Sequence, residues 1–478
     1  MSQPGANIPE GKAAPARQLG FWMCLALVVG NMIGSGVFVL PASLAPFGLN
    51  SIFGWLFTAS GGVLLAIVFA ALARVYPQAG GPYLYPRVAF GECCGFVMAW
   101  GYWMSVWVGN AAIAIGSVAY LSELIPAIKH TEGAPALTSI ALIWILTYVN
   151  WRGVKQVGVL QLVTTVLKLL PLLAVIVLAI VLLGRADASL IKVEPQPFTI
   201  SAMTAAAILT LWPLLGLESA TVPAENVIDP ERNIPRSTLW GTIVTAIIYV
   251  VACSAVILLI PGSQLKDSNA PFADVMRLFW GDWAATAVAL FAFISGFGAL
   301  NGWILIQGEM PRVLAKEKIF PQLFAHESRY QTPDYSLVIT SALVTIVMLM
   351  NYSGSMVAVF TKIILISTCA YLVMYLFCSL AAFWLALRGD MGMRGRRLLG
   401  LIAAAILAGC YSLWTLWGSA SFPPQMGGVG VEAFWWAMGL FALGLPLYFL
   451  LSWTRRRAEK WGHSSFLSSP DSRENLGK

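Results

Sequence analysis

Three charged residues lie inside long apolar stretches of this sequence: Glu218, Lys168 and Lys362. A charge in such a stretch is costly to bury, and it usually marks a substrate pathway, an ion site or a proton relay. Glu218 is the only acidic residue within these stretches, which makes it the candidate for a proton relay. Lys168 is predicted about 17 Å from the inner end of its helix. At that depth its ammonium group cannot easily reach the membrane surface.

Two of the apolar stretches contain residues that interrupt a helix. The first carries residues 30–36, GNMIGSG, and the second carries residues 212–218, WPLLGLE. Glycines expose the backbone, and Pro213 removes a backbone donor and clashes with the preceding turn. Glycine also serves close packing of membrane helices, so neither interruption is decisive alone. Together, unwound N–H and carbonyl groups suit the carboxylate and the amine of an amino acid.

Cysteine and histidine show no pattern of a metal or catalytic site. The chain has seven cysteines without metal-ligand spacing, and its three histidines are far apart in sequence. The adjacent pair Cys93 and Cys94 could be reactive, but cysteine in a membrane helix is usually a small apolar residue. There is no clustered catalytic set and no nucleotide-binding glycine loop. We therefore expect that the protein is not an enzyme, does not use ATP for transport, and binds no metal or cofactor. A channel would require a continuous polar pore lining.

The composition places these residues in a polytopic membrane protein. Of the 478 residues, 58% are hydrophobic and 11% are charged, against about 25% charged residues in soluble domains. A transmembrane helix needs about 20 mostly apolar residues. By this criterion the sequence predicts an all-α protein with twelve transmembrane helices, at residues 19–44, 51–73, 95–121, 135–151, 157–183, 200–224, 237–260, 283–307, 335–350, 356–387, 398–417 and 433–453.

The distribution of positive charge predicts the orientation of the helices. With the N-terminus inside, 22 of the 29 Lys and Arg residues fall on the cytoplasmic side and five on the outer side. Positive residues favour cytoplasmic loops, so both termini are predicted to be cytoplasmic. The net charge of +7 therefore reflects a belt beside the membrane, and we expect no binding of nucleic acid.

The spacing of the two interruptions predicts an internal repeat. They are five helices apart, an odd number, so the two halves enter the membrane from opposite sides. This pattern is typical of an inverted five-plus-five repeat with a central site between broken helices 1 and 6. The predicted organisation is a cytoplasmic tail at 1–18, a twelve-helix domain at 19–454 and a second cytoplasmic tail at 455–478. Within the domain, repeat one covers about 19–183, repeat two about 200–387, and helices 11 and 12 about 398–453.

Two sequence motifs resemble those of the amino acid–polyamine–organocation (APC) superfamily. One is GNMIGSGVFVLP at residues 30–41; the other is GLESA at 216–220, followed by PAE at 223–225 and DPERNIPR at 229–236. The resemblance extends over about residues 19–453. It is nearest to the bacterial basic amino acid and polyamine antiporters, including the arginine/agmatine antiporter, and it implies a LeuT-type fold.

The resemblance also implies which residues bind substrate. In the first interruption these are Met32, Ile33, Ser35 and Gly36, with Ser35 and Gly36 on the carboxylate. Carbonyl groups of Met32, Trp212 and Leu215 meet the amine. On other helices the matching residues are Tyr102, Asn110, Ile113, Trp303 and Thr361. Trp303 would stack on the substrate side chain, as a cation–π contact if that side chain is cationic, although packing or membrane anchoring could equally explain a tryptophan. Glu218 matches a gating glutamate linked to protons.

The two lysines leave the substrate class open. Related carriers place a lysine at the position of Lys168 where sodium-coupled relatives bind sodium, whereas the arginine/agmatine antiporter lacks it. Lys362 lies about 9 Å from the outer end of its helix, so it either extends to the surface or lines the site beside Thr361. A lysine in the pocket would repel a dicationic amine, which favours a neutral or monocationic substrate.

These observations predict a secondary active amino acid transporter of the cell membrane. The main hypothesis is an antiporter that exchanges a cationic, arginine-like amino acid for a related amine or amino acid by alternating access. The alternative is a proton-coupled neutral amino acid permease. The expected partners are the small substrate and the lipid bilayer. Relatives include homodimers, and the sequence leaves the oligomeric state open.

Overall fold

The computed structural model describes residues 19–78, 81–153, 164–184, 190–194, 196–221, 224, 227–330, 332–351, 355–420 and 429–454. The two predicted tails, residues 157–163 of the fifth apolar stretch, and motif residues Pro223 and Glu225 lie outside this part of the chain. The described residues form helices, connecting turns and an isolated parallel β-bridge between Leu19 and Val227.

The described part of the chain consists of α-helices joined by turns and loops. Short 3₁₀ turns occur at Ala45–Phe47, Trp212–Leu214, Ser219–Thr221 and Gln322–Ala325. The α-helices are α1 Phe21–Met32, α2 Gly36–Leu44, α3 Asn50–Val75, α4 Gly81–Phe90, α5 Glu92–Leu124, α6 Pro126–His130, α7 Ala134–Arg152, α8 Leu169–Leu183, α9 Ile200–Leu211, α10 Pro230–Leu259, α11 Gly262–Leu265, α12 Pro271–Trp280, α13 Asp282–Lys316, α14 Asp334–Asn351, α15 Met356–Arg388, α16 Arg396–Ala420 and α17 Val429–Ala442.

Within the described residues, ten helical segments are long and apolar enough to cross a membrane. The pair Phe21–Met32 and Gly36–Phe47 passes the same test together, with a bend of 40° at its break, and makes an eleventh. The ninth predicted stretch is a shorter apolar helix, Asp334–Met350. The chain is thus a polytopic helical membrane protein with ten or eleven candidate spans, and the count of twelve stays a prediction.

Helix α5 lies at the centre of the bundle. Of its most apolar 18-residue window, 94% is buried, against 17% for the window in the segment Gly430–Thr454. Helix α5 packs along both α13 and α15, while α10 packs against α1 and α3. The last segment therefore lies at the periphery, where its apolar side chains suit contact with lipid.

The chain leaves the α-helical conformation at both interruptions noted in the sequence. Helix α1 ends at Met32, Ile33 is extended, and α2 begins at Gly36. Helix α9 ends at Leu211 and is followed by the 3₁₀ turn Trp212–Leu214 and by extended Leu215. Gly216 has φ of 103°, in the left-handed region where a residue without Cβ is favoured. These non-helical segments expose backbone groups inside the protein. At the depth of a membrane, non-helical backbone is tolerated only where it is buried in protein or lines a cavity.

Candidate functional site

A small cavity lies where the two interruptions meet helices α5, α13 and α15. Its free volume is about 40 Å³, which is space for about three water molecules. The residues around it are mainly small or apolar, with a few polar side chains. They are Asn31, Met32, Gly34, Gly36, Val37, Ser105, Val106, Gly109, Asn110, Ile113, Trp212, Pro213, Leu215, Trp303, Ser367 and Tyr371.

The indole ring of Trp212 closes one side of the cavity by packing on Gly36. A Cβ added at Gly36 would lie 1.8 Å from Trp212 Cζ3, so this approach requires glycine. The ring also makes an edge-on contact with Phe360, with 5.6 Å between the ring centroids. The glycine of the first interruption and the tryptophan of the second thus bring the two broken segments together.

Trp303 closes the cavity from helix α13. Its Nε1 donates a hydrogen bond to the carbonyl of Asn31 at 3.2 Å. Its ring lies next to Gly216, where an added Cβ would be 3.1 Å from Cζ2. Trp303 therefore contacts both interruptions. Its Nε1 bonds a carbonyl at the end of the broken first helix, and its ring lies beside a glycine that has no side chain.

Three buried side chains bond the first interruption to neighbouring segments. The ammonium of Lys168 donates to the Gly30 carbonyl at 2.6 Å, and the Tyr249 hydroxyl donates to the Met32 carbonyl at 2.7 Å. The Ser35 hydroxyl donates to the Ile113 carbonyl at 2.8 Å. Two side chains from other segments thus donate to carbonyls of the interruption, and its own Ser35 donates to a carbonyl of helix α5.

Lys168 is fully buried and lies in a turn just before helix α8. Its carbonyl partner is in the last turn of α1, where helix C-termini carry negative partial charge. The positive charge of Lys168 thus meets the electronegative end of the broken helix. The described part of the chain places no carboxylate within salt-bridge distance of this ammonium.

Glu218 is fully buried among tyrosines. Its Oε2 accepts a hydrogen bond from the Tyr375 hydroxyl at 2.8 Å, whereas its Oε1 and the Tyr102 hydroxyl are buried without a hydrogen-bond partner among the described residues. The ring of Tyr371 contacts both Tyr102 and Tyr375, at centroid distances of 5.6 and 5.8 Å. Because Tyr371 lines the cavity, contacts lead from the space between the interruptions through Tyr371 and Tyr375 to Glu218.

Asn110 brings an amide to the cavity from helix α5. Its Nδ2 donates to Gln307 Oε1 at 2.7 Å, and Gln307 Nε2 donates to Ser341 Oγ at 3.0 Å. Asn110 Oδ1 is buried and has no hydrogen-bond partner. The site therefore contains an unpaired acceptor that a ligand donor could satisfy.

The sequence-predicted residues fall into two groups in the structure. Met32, Gly36, Asn110, Ile113, Trp212, Leu215 and Trp303 line the cavity. The others lie behind that layer or away from it; they are Ile33, Ser35, Tyr102, Thr361, Glu218 and Lys168.

Residues Thr361 and Lys362 are both engaged outside the cavity lining. The Thr361 hydroxyl lies 2.8 Å from that of Ser43 and donates to the Val357 carbonyl. Lys362 pairs with Glu432 on α17, with 2.9 Å between Nζ and Oε1. The argument that Lys362 would repel a dicationic substrate therefore has no support in this arrangement.

Sequence analysis did not identify Tyr249, Gln307 or Tyr375. All three are uncharged residues within apolar segments, so charge gave no signal. Gln307 could have been found because it follows Trp303 by four residues and shares its helix face. The described residues contain no group of three His, Cys, Asp or Glu side chains arranged to hold a metal ion.

Comparisons with known proteins identify the family of this chain. Residues 19–445 match the family model described as amino acid permease. The chain is 30% identical to a putative arginine/ornithine antiporter of Bacillus subtilis over 471 residues, covering 90% of this chain and 96% of the relative. A cadaverine/lysine antiporter of Escherichia coli K12 is 33% identical, over 71% of this chain and 77% of the relative. The putrescine transporter PotE of Haemophilus influenzae is 27% identical, over 91% and 99%. The chain therefore belongs to the amino acid permease family of the APC superfamily and is a membrane transporter, not an enzyme.

Proposed function

We propose that this protein is an antiporter that exchanges a cationic, arginine-like amino acid for a related amine or amino acid. The observation that carries the proposal is the cavity enclosed by both broken segments, Trp212 and Trp303. Three relatives are named for arginine and ornithine, for cadaverine and lysine, and for putrescine. All these ligands carry at least one ammonium or guanidinium group, which an aromatic lining and an unpaired amide oxygen can accommodate.

In this proposal, unwound backbone binds the two ends of the amino acid. The N–H groups at Ser35 and Gly36 bind the carboxylate, and the carbonyls of Met32, Trp212 and Leu215 bind the amine. Ser35 contributes its backbone, since its hydroxyl is bonded to Ile113. The Met32 carbonyl already accepts from Tyr249, but a carbonyl oxygen can accept a second hydrogen bond.

Substrate binding requires the cavity to enlarge. A volume of about 40 Å³ is smaller than an amino acid, and Trp212 packs closely on Gly36. Movement of the Trp212 ring, together with the broken segments, would admit the substrate and couple binding to a conformational change. This is the behaviour expected of alternating access around a fixed central site.

The proposed transport cycle needs the architecture predicted from sequence. We place twelve spans in an inverted repeat of the LeuT type, with repeats at about 19–183 and 200–387, helices 11 and 12 at about 398–453, and both tails in the cytoplasm. A homodimer remains an expectation of the family resemblance.

The second candidate function is a proton-coupled neutral amino acid permease. Lys168 favours it, because its buried ammonium already supplies a cation at the end of the broken first helix. In sodium-coupled relatives of this superfamily, as the resemblance implies, that role belongs to sodium. Either candidate is therefore expected to work without sodium.

Exchange in proteoliposomes tests both candidates. The vesicles are loaded with arginine, and uptake of radiolabelled arginine, alanine and agmatine is compared at acid and neutral pH. The antiporter predicts arginine uptake that requires internal arginine and is inhibited by external agmatine. Alanine uptake driven by an imposed proton gradient, with arginine inert, would replace this proposal with the permease.

A further inference from the structure

A chain of buried hydrogen bonds runs from the cavity into helices α13, α14 and α7. Asn110 donates to Gln307, Gln307 donates to Ser341, and the Ser341 hydroxyl lies 2.7 Å from that of Thr147. All four side chains are buried, with exposed fractions of 4% or less. Of the four, only Asn110 lines the cavity.

The direction of this chain follows from counting hydroxyl protons. Thr147 donates its proton to the Ile143 carbonyl at 2.7 Å, and a hydroxyl has one proton to donate. In the contact between the two hydroxyls, Ser341 must therefore be the donor. The Ser341 oxygen is then left as an acceptor toward Gln307, so the Gln307 amide presents its NH₂ group to Ser341 and its oxygen to Asn110.

The same reasoning determines the orientation of the Asn110 side-chain amide. Because Gln307 presents an acceptor, Asn110 must turn its NH₂ group toward Gln307 and keep its oxygen free. That oxygen is the buried atom without a partner. An unpaired buried acceptor lowers stability, and a donor from a bound substrate would relieve the penalty.

We propose that Gln307 is a positioning residue that holds the Asn110 carbonyl oxygen toward the substrate, so that the site selects side chains with an N–H donor at this point. The inference rests on the proposed function for its substrate and deepens it by naming the group that is recognised. A guanidinium, an ammonium or a neutral ureido group satisfies Asn110 Oδ1. An aliphatic side chain leaves it unpaired, and sites built around a hydrogen bond discriminate against ligands that lack it.

The test compares arginine and citrulline, which have side chains of the same length, with norleucine, which has a shorter unbranched aliphatic side chain. The side chain of citrulline is neutral but has N–H donors, whereas the side chain of norleucine has none. In proteoliposomes, Gln307→Met should raise KM for arginine and citrulline about tenfold, the value of one hydrogen bond of about 1.4 kcal/mol. KM for norleucine and Vmax for all three should change little.

Two further variants separate positioning from stability. Ser341→Ala removes the acceptor that orients Gln307 and should raise the same two KM values without affecting norleucine. The matched control is Thr340→Ala on the same helix, since the buried Thr340 hydroxyl bonds only its own helix at Ser336; its KM values should equal those of the wild type. Gln307→Glu keeps an acceptor for Asn110 but loses the N–H donor to Ser341, so its KM for citrulline should lie between those of the wild type and Gln307→Met.

The outcomes distinguish this inference from the proposed function. If all three KM values rise together in Gln307→Met and Ser341→Ala, the hydrogen-bond chain only supports the fold, and the inference is wrong. If the wild-type protein transports citrulline and norleucine but not arginine, the cationic antiporter is wrong. In that case the ratio of the KM for citrulline to the KM for norleucine, compared between the wild type and Gln307→Met, still decides the role of Gln307.

Discussion

Lys168 and Glu218 are buried charged residues whose observed hydrogen-bond partners are uncharged. Lys168 contacts the carbonyl of Gly30, and Glu218 contacts the hydroxyl of Tyr375. Burial of an ionic group without an opposite charge is costly, and the protein retains both residues close to the broken helices. We predict that each takes part in the transport cycle, Lys168 as a fixed cation and Glu218 as a group that gains and loses a proton.

Replacement of Glu218 by glutamine is expected to weaken the pH response of uptake. Glutamine has nearly the same shape but cannot titrate, so the ratio of uptake at acid and neutral pH should fall toward one. The measurement is radiolabelled arginine exchange in liposomes over a series of pH values. Tyr375→Phe is the control, because it removes the hydrogen bond and keeps the carboxylate; its uptake should still depend on pH. An unchanged pH profile in Glu218→Gln would reject the role.

Lys168 is expected to make transport independent of sodium. Its ammonium lies 2.6 Å from the Gly30 carbonyl, so the electronegative end of the first half-helix already has a cation. Exchange rates should be equal in sodium and choline media, and Lys168→Met should reduce the rate at least tenfold because the carbonyl loses its partner. A clear sodium requirement in the wild-type protein would contradict this role.

At the scale of elements, both helix interruptions could be predicted because glycine and proline act locally. The spacing of GNMIGSG and the position of Pro213 are sufficient to locate them, since these residues alter the backbone where they stand. What holds the interruptions could not be predicted. The partners Tyr249 and Lys168 lie far away in sequence, and only the packing of the helices brings them to the carbonyls of Met32 and Gly30.

Lys362 illustrates a second limit of the sequence. Its distance from the helix end allowed either a surface or a cavity position. The choice depends on Glu432, which is 70 residues away, just outside the predicted twelfth stretch. Predicting a charge pair between two elements requires knowledge of which helices are neighbours, and hydropathy alone does not provide it.

The contact between the two interruptions makes Gly36 intolerant of a side chain. Gly36→Ala should reduce thermal stability by about 1–3 kcal/mol, as overpacking does, and should reduce transport sharply, because its Cβ would meet the Trp212 ring. The measurements are a detergent-solubilised melting curve and arginine exchange. Gly409→Ala is the matched control, since its added Cβ would lie 3.8 Å from the nearest atom.

A double variant identifies the cause of that loss. Combining Gly36→Ala with Trp212→Leu removes the ring and should recover the melting temperature of the single variant Trp212→Leu. Substrate affinity should stay low, because Trp212 lines the cavity. If the two losses of stability simply add in the double variant, the clash with Trp212 is not the reason for the glycine.

At the scale of the whole molecule, the distribution of positive charge predicts a single orientation in the membrane. The imbalance of 22 to five Lys and Arg residues is large for a protein with short loops, where the charge rule applies best. This prediction needs no knowledge of packing, because it depends on loop charges alone.

Labelling of single cysteines tests that orientation. Both His130, at the end of α6, and Arg329, between α13 and α14, are exposed, and the charge rule places them on opposite sides. In a variant without the seven native cysteines, His130→Cys should react with a membrane-impermeant maleimide in intact cells. Arg329→Cys should react only in inverted vesicles, because its loop is predicted to face the cytoplasm. The reverse pattern would mean that the topology is inverted. Equal labelling of both positions in intact cells would mean that the chain inserts in two orientations, which a protein with an inverted repeat and a weaker charge bias could do.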